Sequence, residues 1–281
     1  MKLLDGKAIA QRTRDKLKVE VAKFVQETGV TPKLCVLRVG DDAASEIYVR
    51  NKAKSCVEVG MLSEVVHKPI ASQAEVLALI DKWNKDPTVH GILVQLPLLP
   101  TIDERLVTEA VHVDKDVDAF LPHHAGLLSQ GRAVLVPCTP RGCMVLIHEA
   151  QADISGLHAV VVGRSNIVGK PVAELLLQAN ATVTICHSRT RNLAEIVKTA
   201  DIVVAAIGKA KAIEGSWIKP GAIVIDVGIN RVDGKVVGDV DFDAASKVAL
   251  AITPVPGGVG PMTIAMLLEN TLTAAKIQTK K

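Results

Sequence analysis

Ser45, Tyr48 and Lys52 stand at i, i+3 and i+7, so on a helix they share one face. Tyr48 is the single tyrosine of the chain. Spacing alone favours a plain arrangement, a solvated lysine and a half-buried tyrosine. Gln95 sits between Val94 and Leu96 and ends an apolar run, at the carboxyl end of a strand where open α/β sheets place ligands. Asp114, Asp116 and Asp118 imitate the start of a calcium loop, but Ala119 holds the glycine position and Ala125 the twelfth, which excludes calcium. His123 and His124 are adjacent and cannot share a face. No metal site is expected. No catalytic serine elbow, P-loop or HExxH motif is present.

A second group of residues suits phosphate. Val160 to Val162 read as a buried strand that runs into Gly163-Arg164-Ser165, then Gly169, then Pro171 at a helix start. Strand, glycine turn and helix N-terminus together can face an anion, although an ordinary βα turn has the same outline. The next strand, Ala181 to Cys186, ends in His187-Ser188-Arg189-Thr190. An NAD site would carry an acid there for the ribose hydroxyl. Ser188 and Arg189, with Arg164 from the first turn, instead suit a 2′-phosphate, which points to NADP unless these arginines are simply solvated. Pro254-Val-Pro-Gly-Gly-Val-Gly-Pro261 joins a strand end to a helix start and could offer backbone N–H groups to a ligand, or be a tight structural turn.

The elements that must position these groups alternate. Helices are predicted over 6–28, 41–59 and from Ser72, which with Glu75 forms a capping box, to before Asp86-Pro87. Strands are predicted over 33–39, 62–67 and 89–95. From 101 to 151 the pattern loosens, with one helix from about 140 to 150. Strands at 158–162, 182–186, 202–206, 222–226 and 248–252 follow, with helices at 170–179 and 192–199 between the first of them. Val232-Asp-Gly-Lys235 reads as a hairpin turn, and a last helix as 262–277.

The 281 residues suggest about two domains at roughly 100–200 residues each. Apolar residues make up 48% and aromatics only 2%, so Val, Ile, Leu and Ala must fill the core, as in α/β proteins. A net charge of +3 and the scarcity of aromatics speak against a nucleic-acid partner. Five cysteines without zinc spacing suggest buried thiols in a reducing compartment. Asp5 and Gly6 interrupt any leader, and no apolar run reaches the ~20 residues of a membrane helix. A soluble cytoplasmic protein, with no membrane partner, is expected.

Six motifs then occur in order: Tyr48-Val-x-x-Lys52, Val94-Gln-Leu-Pro97, Lys115-Asp-Val-Asp118, Pro137-Cys-Thr-Pro140, Val162-Gly-Arg-Ser-x-x-Val-Gly169 and Pro254-Val-Pro-Gly-Gly-Val-Gly-Pro-Met-Thr263. With Leu4-Asp-Gly-Lys7 they span essentially the whole chain, which resembles the bifunctional methylenetetrahydrofolate dehydrogenase/methenyltetrahydrofolate cyclohydrolases. The resemblance implies two α/β domains with the active-site cleft between them. Residues 1–138 would form a folate-binding domain, with helix 262–281 packed back on it, and residues 139–261 a Rossmann-like NADP-binding domain. It further implies a homodimer acting on tetrahydrofolate substrates in one-carbon metabolism.

The resemblance makes Lys52 the catalytic lysine, Gln95 its partner, Tyr48 a stacking surface for the aminobenzoyl ring and Asp118 the pterin ligand. Val94, Leu96, Pro256, Gly257 and Gly258 would also touch folate. Gly163, Arg164, Ser165, Ser188, Arg189, Ile229, Gly258, Val259 and Gly260 would touch NADP. The chain departs from the family pattern at Ala119, usually Gly, and at His124 and Leu127, usually Asn and Arg, at the cleft rim. The chemistry agrees with these roles. Hydride loss from a carbon between two nitrogens needs positioning and no base. Hydrolysis of the resulting cation needs a proton shuttle, for which a lysine suits. A shikimate-dehydrogenase-type enzyme would leave Tyr48, Lys52 and Gln95 unexplained, and a non-enzymatic NADP-binding module would have no need of Lys52 or Asp118.

Overall fold

The computed structural model describes residues 1–280. In chain order the elements are β1 (Lys2–Leu3), α1 (Gly6–Thr28), β2 (Lys33–Val39), α2 (Ala43–Glu58), β3 (Leu62–Lys68), α3 (Gln73–Lys85), β4 (Gly91–Gln95), α4 (Glu104–Glu109), α5 (Pro122–Ser129) and α6 (Cys138–Ala150). They continue with β5 (His158–Val162), α7 (Gly169–Gln178), β6 (Thr182–Cys186), α8 (Leu193–Val197), β7 (Ile202–Ala205), β8 (Ile223–Asp226), β9 (Asn230–Val232), β10 (Lys235–Val237), α9 (Phe242–Ala245), β11 (Ala251–Ile252) and α10 (Val259–Thr279). The chain forms two compact units.

One unit comprises Gln11–Cys138 and Ile264–Lys281. Its parallel sheet has the order β3-β2-β4. β2 is central because Leu34, Cys35, Val36 and Leu37 are apolar on both faces, and all four are fully buried. The register sets Arg38 opposite both His67 of β3 and Gln95 of β4, so Gln95 lies at the carboxyl edge. Asp42 caps α2 by accepting from the Ser45 N–H at 2.7 Å, and Ser72 with Glu75 closes the capping box of α3. Ile80 and Trp83 of α3 seal the core over Cys35, Leu37 and Ile92. In α10, the Asn270 amide donates to the Val117 and Val136 carbonyls at 2.8 Å, and Gln278 donates to His90 and Asp114.

The other unit comprises Met1–Ala10 and Thr139–Thr263. Its parallel sheet has the order β1-β11-β8-β7-β5-β6. β5, β7 and β8 are Val/Ile runs buried on both faces. β9 and β10 form the hairpin, with Asp233 and Gly234 both at positive φ in its two-residue turn. Here the expected boundary needs correction. Lys2 pairs with Ala251 and Leu3 with Ile252, so the first ten residues belong with the six-stranded sheet and not with residues 11–138. Two residues are too few to show a period, and only their partner strand identifies them.

Other boundaries shift as well. The last strand shortens to Ala251–Ile252, and the last helix starts at Val259, inside the glycine-rich motif. The loose stretch after Thr101 holds α4 and α5, too short for a readable period.

Lys115 is buried, and its ammonium donates to the carbonyls of Trp83, Asn84 and Asp86 at 2.9, 2.9 and 2.7 Å, closing the carboxyl end of α3. Burial lowers its pKa, so part of this gain is offset by desolvation. Lys115→Met should destabilise the protein by about 2 kcal/mol, seen as a lower urea midpoint at unchanged m-value.

Candidate functional site

Along α2, Ser45, Val49, Lys52 and Cys56 form the buried stripe, each 8% exposed or less. Lys52 is thus not a solvated lysine. Its Nζ donates to Gln95 Oε1 at 3.0 Å, while Gln95 Nε2 donates to the Leu96 carbonyl at 2.8 Å. The second bond holds the amide oxygen toward the ammonium. Tyr48 is half-buried on the flank of this stripe, and burial raises its pKa. Val94 is buried and Leu96 half-buried beside Gln95. Ammonium and amide thus meet at the carboxyl edge of a parallel sheet, where ligands bind in such folds, with Tyr48 one turn earlier on the same helix.

Asp118 joins them through a segment whose other members hold it still. Lys115 is tied to the end of α3, and Asp116 accepts from the Leu121 N–H at 2.9 Å. Val117 is core, and its carbonyl takes the Asn270 amide and the Cys138 thiol. In the K-D-V-D motif Lys115, Asp116 and Val117 are therefore anchors, and Asp118 is half-buried. Burial pushes Asp118 up to about 6, against the pull of the Lys52 ammonium; the Asp116 charge adds to the rise and the Cys138 thiol opposes it. Asp116 is likewise raised to about 6 by burial. The anchoring of Lys115 and Asp116 was missed in the sequence, where only their basic and acidic types were visible.

The departures from the family pattern lie just beyond. Ala119 takes a φ of 58°, a left-handed conformation that favours the usual glycine. His124 is buried, with Nε2 3.0 Å from the Val113 carbonyl and Nδ1 unpartnered. Leu127 is half-buried and His123 exposed.

In the other unit, Gly163 ends β5 at a φ of 141°; a Cβ there would meet the Ala206 carbonyl oxygen at 2.2 Å. A Cβ on Gly169 would lie 2.3 Å from the Gly163 carbonyl oxygen. Glycine is required at both because strand end, α7 start and the end of β7 press together. The chain runs from β5 to β6 on one side and to β7 on the other, so this is the switch point of the sheet. The Ser165 hydroxyl oxygen accepts from Val168 N–H at 3.1 Å and Gly169 N–H at 3.3 Å. The helix start is therefore partly satisfied internally, and the Ser165 proton remains to donate to an anion.

Arg164, Ser188 and Arg189 are exposed, and neither arginine is in an ion pair among the described residues. No acid stands at the end of β6. These residues fit a dinucleotide that carries an extra phosphate. Ile229 is 54% exposed after β8.

In the glycine-rich loop, packing within the unit accounts for part of the glycine content, as in the tight-turn alternative. Gly258 and Val259 are buried within their own unit: a Cβ on Gly6 would meet the Gly258 carbonyl oxygen at 1.8 Å, and Lys7 N–H donates to the Gly257 carbonyl at 3.1 Å. Asp5 caps α1 through Lys7 and Ala8 N–H, which accounts for Leu4-Asp-Gly-Lys7. Pro256, Gly257 and Gly260 keep accessible surface.

With these two clusters described, comparison with known proteins is decisive. Residues 4–118 match the profile "Tetrahydrofolate dehydrogenase/cyclohydrolase, catalytic domain", and residues 137–279 match its "NAD(P)-binding domain". The chain belongs to the tetrahydrofolate dehydrogenase/cyclohydrolase family. A bifunctional FolD protein of Moorella thermoacetica is 59% identical over 276 residues, covering 98% of each chain. A crystal structure of the bifunctional FolD dehydrogenase/cyclohydrolase of Campylobacter jejuni superposes with a TM-score of 0.95 at 48% identity, covering 99% of each chain. The Trypanosoma brucei FolD enzyme, solved with NADP cofactor and an inhibitor, gives 0.94 at 40% identity, covering 99% of this chain and 98% of that one. Membership sets aside the shikimate-dehydrogenase-type reading.

The raised Asp118 carboxyl gives a prediction. Its folded value of about 6 lies above the ordinary 3.8, so its protonated form stabilises the fold below about pH 4, and this contribution is lost as pH rises through 6. Asn imitates the protonated form. Asp118→Asn should therefore raise stability at pH 7 by on the order of 2 kcal/mol and change it little at pH 4, measured by urea unfolding at both pH values.

Proposed function

We propose that this chain oxidises 5,10-methylenetetrahydrofolate with NADP to the methenyl compound, then hydrolyses that to 10-formyltetrahydrofolate, with Lys52 as the central catalytic group. The observation that carries the role of Lys52 is its 3.0 Å bond to Gln95 on the buried face of α2, within electrostatic reach of Asp118.

Asp118 accepts two N–H groups of the pterin edge, which orients the reacting carbon. A site that supplies two donors also favours the ionised carboxylate, working against its raised pKa. Tyr48 offers its ring to the aminobenzoyl group, Val94 and Leu96 line the adjacent wall, and Pro256 and Gly257 offer main chain. In the first step a hydride leaves the methylene carbon, and the lone pairs of the two flanking nitrogens stabilise the resulting cation, so no protein base is needed. NADP, when bound, accepts that hydride. Arg164, Ser165, Ser188 and Arg189 hold its phosphate groups, Gly163 admits its backbone and Ile229 covers its apolar face.

In the second step water adds to the cationic carbon and one of its protons is released; the carbon–N5 bond then breaks as the remaining hydroxyl proton passes to N5, leaving a formyl group on N10. Lys52 moves these protons, and Gln95 keeps its ammonium aimed at the site. The reading extends to a cytoplasmic homodimer that feeds purine biosynthesis. Among the described residues no helix is long and apolar enough to cross a membrane. β6 leaves one edge of its sheet without a partner strand.

Mixing the protein with methylenetetrahydrofolate and NADP should raise the NADPH absorbance band, and NAD should do so far less; silence with both cofactors would overturn the reading. Lys52→Met should remove cyclohydrolase activity and leave NADP binding intact, whereas equal survival of both activities would remove Lys52 from its role. Arg164→Ala should weaken NADP binding by about tenfold and leave NAD binding within about twofold, checked by calorimetric titration with each cofactor.

A further inference from the structure

Asp239 lies between β10 and α9, and its side chain is fully buried. Its Oδ2 accepts from Ile207 N–H at 2.6 Å and Gly208 N–H at 2.9 Å. Its Oδ1 accepts from Lys209 N–H and the Asn230 side-chain amide, both at 2.9 Å. No ion pair to Asp239 exists among the described residues, so four N–H dipoles alone offset the desolvation of the charge. Beneath it a second buried carboxylate, Asp226, accepts from the Gly228, Asp239 and Val240 N–H groups and fixes the Asp239 backbone.

The four donors belong to two loops. One is the segment after β7, whose Ala206 carbonyl backs directly onto Gly163. The other is the turn after β8 that carries Ile229. Ile207, Gly208, Lys209 and Ile229 are all exposed, so packing of their side chains does not hold these loops. Their amides point inward to one anion while their outer faces stay free.

We propose that Asp239 is a positioning residue for the dinucleotide: its carboxylate ties the 206–209 loop to the 228–230 turn at the ends of β7 and β8, beside Gly163 at the end of β5. The proposal rests on the NADP reading above. It makes affinity for the cofactor, rather than the folate chemistry, the property that depends on this charge. An amide cannot replace the carboxylate, because both oxygens already accept two donors and an NH2 at either place would face two N–H groups.

The test is NADP titration by calorimetry on the wild type, Asp239→Asn and Asn230→Ala, with cyclohydrolase activity started from the methenyl compound, which needs no cofactor. Asp239→Asn should raise the NADP Kd and KM about tenfold or more, with kcat at saturating NADP and the cyclohydrolase rate within about twofold. An NADP Kd within about twofold of wild type overturns the proposal, and so does a parallel loss of cyclohydrolase activity, which marks a carboxylate that merely supports the fold. Should Asp239→Asn not fold, Asn230→Ala decides: it keeps the charge and cuts the tie to the 228–230 turn, together with one 3.5 Å bond to the Val237 carbonyl within the hairpin. A rise in NADP Kd of about threefold supports the proposal, and an unchanged value overturns it. A wild type that does not bind NADP overturns the functional reading itself, and is told apart because the failure is then not confined to the variants.

Discussion

The hydrogen bond from Lys52 to Gln95 depends on two elements ending in the right places. Gln95 reaches the ammonium only because β4 stops at the carboxyl edge, and Lys52 only because α2 is capped at Asp42 and carries its buried stripe through residue 52. A buried ammonium without an acceptor is costly, so the amide also makes the burial of Lys52 tolerable. Moving either element by one residue would turn the lysine out or the glutamine away. The parallel sheet, the capping and the apolar face of α2 are the structural conditions of that one contact.

The same economy governs the carboxylates. Asp116, Asp118 and Asp226 are all pushed up to about 6 by burial. Asp116 and Asp226 spend their oxygens on backbone N–H groups and so fix loops. Asp118 is held by its neighbours and takes a side-chain hydrogen bond from Cys138 and the pull of the Lys52 ammonium. At neutral pH each of these ionised groups lowers stability relative to its protonated form.

What was legible in the sequence follows from how local each signal is. Val160 to Val162 and Val203 to Val204 read as buried strands because both faces demand apolar residues. The Ser72–Glu75 capping box and the Asp233-Gly234 turn are local motifs and stand where they were expected. Gly163 and Gly169 were visible as glycines, although the clash with Ala206 that requires Gly163 is a non-local contact. β1 was invisible, because two residues carry no period and its partner lies about 250 residues away. Spacing left Lys52 open between solvent and site; only burial of the α2 stripe decides.

The glycine-rich loop shows why composition alone misassigns cause. Pro254 to Pro261 was expected either to offer backbone N–H groups to a ligand or to be a tight structural turn. Gly258 lies under Gly6, whose own Cβ position is filled by the Gly258 carbonyl oxygen, and α10 starts at Val259. The backbone of the loop thus requires a glycine at position 6, while a Cβ on Gly258 would strike Pro254 and Thr253 of its own loop. A ligand reading remains for Pro256, Gly257 and Gly260, whose surface is accessible, but not on the ground of glycine content. Tight packing and ligand access both select glycine, and the atom that a Cβ would strike separates the two. At Gly163 that atom is a carbonyl next to the loop Asp239 holds, so there packing and cofactor access are one constraint.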